Sequence, residues 1–446
     1  MNTEIKERIE QVRRGEVPEG YSQQRALLYP LDWGNPVPLN AILRENKDRN
    51  EDGRFDKANV LSVSGEMGVV NQIDLLGRSY AGVSVADYHV VETGNLVYTK
   101  SPLKQNPFGI IKLNKGQPGI VSTLYAVYHC NHPVTGLYLD YFFSVDSYVN
   151  NYLKPIVKKG AKNDMKVNNE DVLDGLIAIP SLPEQQKIAE ILTHCDKVID
   201  LKKQLIEEKR SQKKWLMQNL LNPDSGVRLP GFEESVWNSS SLGELFTFGA
   251  SLSASRDQLG NEGILYLHYG DIHANEMCFV DVKNGADRIP RLLTDSPSEK
   301  IMLRDGDVVF VDASEDYEGV SKYVVISNPD NLPFISGLHT IPARSRSREL
   351  LTAFKRYCFQ PHDFRSQMAY YANGMKVYGV NKNDLSKVTI SYPSHHEQSA
   401  IASVLSSADL ELNLLEQELA HWQTKKKALM QLLLTGIVRV TPSQEG

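Results

Sequence analysis

The most regular alternation of apolar and polar positions lies near the end of the chain. Ile401, Leu405, Ala408, Leu412, Leu415, Leu419, Trp422, Lys426, Leu429 and Leu433 follow one another at alternating steps of four and three. That spacing is the seam of a coiled-coil helix. A second stripe, Ile188, Leu192, Cys195, Ile199, Lys202, Ile206, Lys209, Lys213, Leu216 and Leu220, has the same steps but carries lysines in its middle. At 1.5 Å rise per residue each stripe predicts a helix roughly 50 Å long. A lone helix with so narrow an apolar face is unstable, so each is expected to take the other as partner. The seam lysines are read as snorkelling out of an imperfect stripe; the alternative is that they face DNA or a partner chain.

Both stripes belong to a duplication. Pro180–Leu221 aligns without a gap on Pro393–Leu434 at a constant offset of 213, with Glu184/Glu397, Gln185/Gln398, Asp196/Asp409, Lys213/Lys426 and Leu216/Leu429 among the identities. The offset extends back to Val167-Asn168 against Val380-Asn381 and to Asp171 against Asp384. Ser181-x-x-Glu184 and Ser394-x-x-Glu397 predict capping boxes at the two helix starts. Asn222-Pro223 and Thr435-Gly436 predict the stops.

The stretches before each helix read differently. Val60–Val63, Gly94–Tyr98, Gly119–Ser122, Gly306–Phe310 and Lys322–Ile326 are short β-branched and aromatic runs bounded by Gly, Asn and Pro, which predicts strands. The expected organisation is an N-terminal helical segment over 1–20, a β-rich domain over 21–179, a helical repeat over 180–222, a linker over 223–230, a second β-rich domain over 231–392, a second helical repeat over 393–436 and a tail over 437–446. The fold class is α+β: two β-rich domains separated by two long antiparallel helices forming an intramolecular coiled coil, a pseudo-twofold tandem repeat. Arg14-Gly15-Glu16-Val17 faintly echoes Thr435-Gly436-Ile437-Val438, so Glu4–Gly15 is expected beside the end of the second helix.

Composition narrows the function. A net charge of −6 over 446 residues argues against a general nucleic-acid coat, so any DNA contact is local or shared with a basic partner. Four scattered cysteines suggest neither a zinc site nor a disulfide framework and fit a reducing cytoplasm. With no apolar run long enough to span a bilayer, a soluble cytoplasmic protein is expected. No phosphate-binding Gly-Lys-Ser/Thr loop is present, and Asn106-Pro107-Phe108-Gly109 reads as a turn rather than an amino-methyltransferase motif. His268, Asp271 and His273 lie close enough to suggest metal ligands, but no second cluster supports them. No metal site is expected.

The Pro180-Ser-Leu-Pro-Glu-Gln-Gln-Lys-Ile-Ala189 run, the Leu-Met-Gln-x-Leu-Leu segments at Leu216 and Leu429, and Leu434-Thr-Gly-Ile-Val-Arg439 carry a resemblance to the specificity subunit of type I restriction-modification systems. Looser matches lie at Gly119–Tyr125, His268–His273 and Gly337–Thr340; a departure is His395-His396, where the first copy has Leu182-Pro183. The resemblance implies a non-catalytic subunit that reads a bipartite double-stranded DNA target, one half-site per domain, with the helices setting the spacer. It also implies two modification (methyltransferase) subunits and two restriction (translocase/endonuclease) subunits as partners. S-adenosylmethionine, ATP and magnesium are then expected on those partners, with no cofactor and no catalytic residue here. A self-contained methyltransferase or nuclease, and a coiled-coil adaptor binding only proteins, are the alternatives.

Candidate DNA contacts are the lysines before the first helix, Lys154, Lys158, Lys159, Lys162 and Lys166; Tyr266, His268 and Tyr269; Arg344 and Arg346; and Lys376, which falls near Lys159–Lys162 under the repeat. Lysines on phosphates would bind all sequences alike, whereas base-edge contacts would select among them.

Overall fold

The computed structural model describes residues 3–25, 27–159, 165–294, 298–299, 301–374 and 377–440, and for 159, 165, 166, 317 and 318 the backbone alone. Two helices dominate: α1, Leu182–Leu220, and α2, His395–Leu434. The chain divides into two compact units, residues 1–202 with 419–446, and residues 203–418. Both long helices contribute to both units.

In the first unit, a four-stranded antiparallel sheet runs in the order Leu43–Glu45, Tyr125–Cys130, Leu96–Thr99, Ile110–Leu113. The helix Pro133–Phe143 covers it and packs Tyr138, Leu139 and Phe142 into one core with Ile188 and Leu192 of α1 and Met430, Leu433 and Leu434 of α2. Lys426 of α2 ion-pairs with Asp196 of α1, and the Asp196 carboxylate accepts a hydrogen bond from Tyr141 at 2.8 Å. α2 ends at Leu434; Gly436, two residues on, has a φ of +66° that suits glycine, and a Cβ there would stand 2.4 Å from Pro30. The N-terminal helix Thr3–Arg13 reaches this end of α2 through Tyr21: Arg8 donates to the Tyr21 hydroxyl at 3.2 Å, and that hydroxyl donates to the Gly436 carbonyl at 2.8 Å.

In the second unit, a five-stranded sheet has the order Phe246–Phe248, Thr340–Ser345, Val308–Val311, Tyr323–Ser327, Phe279–Asp281. A smaller sheet joins Leu259–Gly260, Arg291–Leu292, Ile264–Leu267 and Phe334–Ser336. Thr352–Cys358 stands where Pro133–Phe143 stands in the first unit, and Leu220 of α1 and Ile401, Ala402 and Leu405 of α2 join its core. Arg210 pairs with Glu416 at 2.7 Å and Lys213 with Asp409, partners falling in number along α2 as they rise along α1, so the helices run antiparallel. Tyr357 donates to Asp409 at 2.7 Å. The duplication therefore builds the same Tyr-Asp-Lys contact twice, each time fixing a β-rich domain to both long helices.

The seam positions of α1 and α2 are buried or half-buried throughout, as a coiled-coil stripe requires. Two expectations change. Lys209 and Lys213 neither snorkel nor face outward: they ion-pair across to Glu411 at 2.7 Å and to Asp409, charge replacing apolar contact at those steps. The capping boxes close only in part. Ser394 accepts the Glu397 N–H at 3.4 Å, but the Glu397 carboxylate takes a bond from Ser235. Glu184 accepts from Trp33 Nε1 at 3.2 Å and, on both oxygens, from Arg439 at 2.8 Å. Gln185 and Gln398 hold the helix starts instead, donating to the carbonyls of Pro180 at 2.8 Å and Pro393 at 2.9 Å. The His395-His396 departure leaves α2 starting at His395, with the His396 ring edge-on to Phe232 at 5.1 Å.

Candidate nucleic-acid interface

In the second unit, three chain segments meet beyond the end of the strand pair Val308–Val311 and Thr340–Ser345. The first follows Ile264–Leu267, where the His268 imidazole accepts the Gly270 N–H at 3.1 Å and so caps the short helix Tyr269–His273. Tyr269 lies against His268 at 4.5 Å and meets His273 at 6.0 Å and His339 at 5.4 Å, both edge to face.

The second segment is the corner Ser336–Thr340. A Cβ on Gly337 would stand 2.3 Å from the Leu267 carbonyl and 2.5 Å from the Tyr266 ring, so only glycine lets the corner approach. Tyr266 fixes it: its hydroxyl donates to the Leu252 carbonyl at 2.7 Å and accepts the Leu338 N–H at 2.8 Å. Ser336 and Thr340 share a 2.6 Å hydroxyl bond, and Thr340 donates to the Gly337 carbonyl at 2.5 Å. The corner thereby presents His339 at φ +56°, its Nδ1 3.2 Å from the Asp312 carboxylate. The His339 and Asp312 side chains remain 47% and 34% exposed, enough for each to reach a ligand.

The third segment is the strand Tyr378–Gly379, which pairs with Ala313–Ser314, directly after Asp312, while Gly379 also forms a bridge with Asn373. Lys322 donates to the His273 carbonyl at 2.7 Å. Burial, reinforced by Arg256 for His268 and by Lys322 for His273, pushes both imidazoles below their ordinary range, so they are neutral near pH 7.

The first unit has the same frame with other side chains. Strands Leu96–Thr99 and Tyr125–Cys130 end in the bond from the Lys100 N–H to the Leu124 carbonyl at 3.4 Å; its counterpart runs from the Asp312 N–H to the His339 carbonyl at 3.2 Å. Lys100 and Leu124 thus occupy the places of Asp312 and His339. Leu124 is 65% exposed. The hairpin Lys158–Lys159 with Met165–Lys166 precedes α1, and Lys154 and Lys158 are exposed.

Of the residues singled out from sequence, Tyr269 is half-buried within this cluster. Tyr266 is not a DNA contact: it is fully buried, and its hydroxyl is used up inside the domain. His268 is buried and serves as a cap. Arg344 sits four residues along its strand from Thr340, about 13 Å away, with its guanidinium held by Asp307 at 2.8 Å and the Met302 carbonyl at 2.8 Å. Arg346 is held by the carbonyls of Gly243 at 3.1 Å and Phe246 at 2.9 Å, so neither arginine joins the cluster. Lys162 and Lys376 lie outside the described residues, as do the side chains of Lys159 and Lys166. Asp312 and His339 were missed as individual contacts; the sequence signal for this corner was the Gly337–Thr340 run, which contains His339 and resembles the family's recognition domains, whereas nothing marked Asp312. Among the described residues, no group of three or more His, Cys, Asp or Glu is placed to hold a metal ion, and no helix is long and apolar enough to cross a membrane.

A family profile described as the type I restriction modification DNA specificity domain matches residues 107–208. A putative type I restriction enzyme MjaX specificity subunit from Methanocaldococcus jannaschii is 25% identical over 312 residues, spanning 65% of this chain and 65% of that protein's length. The MjaVIII specificity subunit of the same organism is 24% identical over 339 residues, 73% of this chain and 76% of that one. Two solved structures share the fold. One, from work on complex assembly and conformational transition of the type I R-M system, has a TM-score of 0.53 at 18% identity and covers 95% of this chain and 99% of its own. The other, the S subunit from M. genitalium, has a TM-score of 0.51 at 12% identity and covers 89% and 95%.

Proposed function

Since the chain belongs to the specificity subunits of type I restriction-modification systems, we propose that it is the non-catalytic DNA reader of such a complex, each β-rich domain reading one half of a bipartite target. The coiled coil sets the spacer between the halves. The chain docks two modification subunits, which supply S-adenosylmethionine chemistry, and two restriction subunits, which supply ATP- and magnesium-dependent translocation and cleavage.

The observation that carries this reading is the repeated anchor. Tyr141-Asp196-Lys426 and Tyr357-Asp409-Lys213 hold the two domains to the same pair of helices by the same chemistry. At the free ends of equivalent strands, meanwhile, the side chains differ in kind. A scaffold that must position two readers of different sequences needs that division between constant anchor and variable edge. Its electrostatics fit as well: an acidic chain relies on local contacts rather than on a broad basic surface.

The test is co-expression with a type I modification subunit in a host lacking other methyltransferases, followed by genome-wide mapping of methylated adenines. The reading requires a split motif that appears only when this chain is present. An uninterrupted motif, or methylation by the modification subunit alone with the same specificity, refutes it. Methyl transfer by the purified chain alone would establish the enzyme alternative instead.

A further inference from the structure

The strand-end corner of each domain offers a sharper assignment, which rests on the DNA-reading role above. We propose that Asp312 and His339 are the base-reading pair of the second domain and that Lys100 and Leu124 are their counterparts in the first.

Placement is the first ground. Each pair sits just past the last rung of the same antiparallel strand pair: Val311 opposite Thr340 in one domain, Thr99 opposite Tyr125 in the other. The next backbone bond, from Asp312 to His339 or from Lys100 to Leu124, closes the ladder in both. The backbone is therefore a shared frame, and the two side chains at its tip are what differ.

Rigidity is the second. His339 rises from a corner held by the Tyr266 hydroxyl, the Ser336-Thr340 bond and the close approach of Gly337. Tyr269 packs against its ring from one side and Asp312 holds its Nδ1. A side chain so pre-oriented loses little rotamer freedom when it meets a ligand, as a selective contact requires.

Chemistry is the third. The Asp312 carboxylate only accepts hydrogen bonds, which suits the exocyclic amino group of cytosine or adenine in the major groove. With its Nδ1–H given to the Asp312 carboxylate, the neutral His339 ring turns the Nε2 lone pair outward, a second acceptor for the exocyclic amino group of adenine or cytosine. The first-domain pair inverts this: Lys100 only donates, which suits guanine O6 and N7, and the exposed Leu124 is an apolar surface for the thymine methyl group. The two domains then require different half-sites from one frame.

The assembled complex with its modification subunit tests the assignment. His339→Leu and Asp312→Asn are compared with Leu124→His and Lys100→Gln by adenine-methylation mapping and by competition binding to single-base variants of the wild-type site. Second-domain substitutions are expected to relax one or two positions of one half-site, reducing discrimination there by about 10- to 100-fold. The other half-site and the spacer stay as in wild type. First-domain substitutions do the same to the opposite half-site. Loss of methylation with non-specific DNA binding retained also supports the proposal, since a base contact is then missing from an intact complex. It is overturned by an unchanged motif in both domains, by second- and first-domain variants altering the same half-site, or by joint loss of specific and non-specific binding. Failure of the wild-type complex to methylate a split motif would instead refute the DNA-reading role itself.

Discussion

Removing the carboxylate of Asp409 should loosen the second unit far more than removing that of Asp196 loosens the first. Each aspartate has the same tyrosine and lysine partners, but Asp409 is 5% exposed and Asp196 is 32% exposed. Asp409 also holds Arg356 at 3.4 Å, which Asp196 does not do for the aspartate that stands in the arginine's place, Asp140. Asp409→Ala leaves Lys213 and Arg356, 20% and 17% exposed, without their common anion, and leaves the Tyr357 hydroxyl without its acceptor. Breaking a buried ion pair from one side costs about 3–5 kcal/mol. At Asp196, water can replace much of the lost charge, so the cost falls to about 1–2 kcal/mol. The difference of about 2 kcal/mol corresponds to roughly a 30-fold difference in local opening. Native-state hydrogen exchange on the helical amides reads it directly, with residues 203–220 and 395–418 reporting on one variant and residues 182–202 and 419–434 on the other. Because a chain of two units need not unfold in one step, this local readout is preferred to a single melting temperature. Equal losses of protection, or a larger loss for Asp196→Ala, would show that burial does not govern the anchor. A cycle with Lys213→Met should recover part of the Asp409→Ala cost by removing the stranded cation.

Three further outcomes are expected. Burial beside Arg49 lowers His89 from an ordinary value of 6.5 to about 4, so the unfolded chain binds a proton there that the folded chain does not. Stability is full above pH 6.5 and declines by about 2 kcal/mol as pH falls toward 4; thermal melts of His89→Gln should lose that part of the slope, and an unchanged slope refutes it. Gly337→Ala places a methyl group against the Leu267 carbonyl and Tyr266 ring, which costs about 1–3 kcal/mol of overpacking. Reading by the second domain should weaken while the half-site of the first domain survives, as methylation mapping would reveal. Inserting one heptad, two turns, into each long helix at matching positions should widen the spacer and leave both half-sites intact; an altered half-site with an unchanged gap argues against the helices as a ruler.

The two long helices were legible because their information is periodic and duplicated. A stripe at steps of three and four, repeated at a constant offset, specifies both helix and partner without reference to anything else in the chain. Strand positions were legible for a similar reason: β-branched runs between glycines mark Leu96–Thr99 and Val308–Val311 locally. What depended on tertiary structure was the destination of each polar group. Lys213 carries no local mark distinguishing an outward lysine from one buried against Asp409, and Glu184 has the spacing of a capping residue yet turns to Arg439, 255 residues away. Tyr266 and Tyr269 are three residues apart, and only the fold makes one an internal strut and the other half-open to solvent. Hydrophobic period is a property of neighbours in sequence, whereas the partner of a charge or a hydroxyl is chosen by whatever the fold brings within about 3 Å. That is why the scaffold was written in the chain's own pattern, while the Asp312-His339 corner emerged only once its three segments had met.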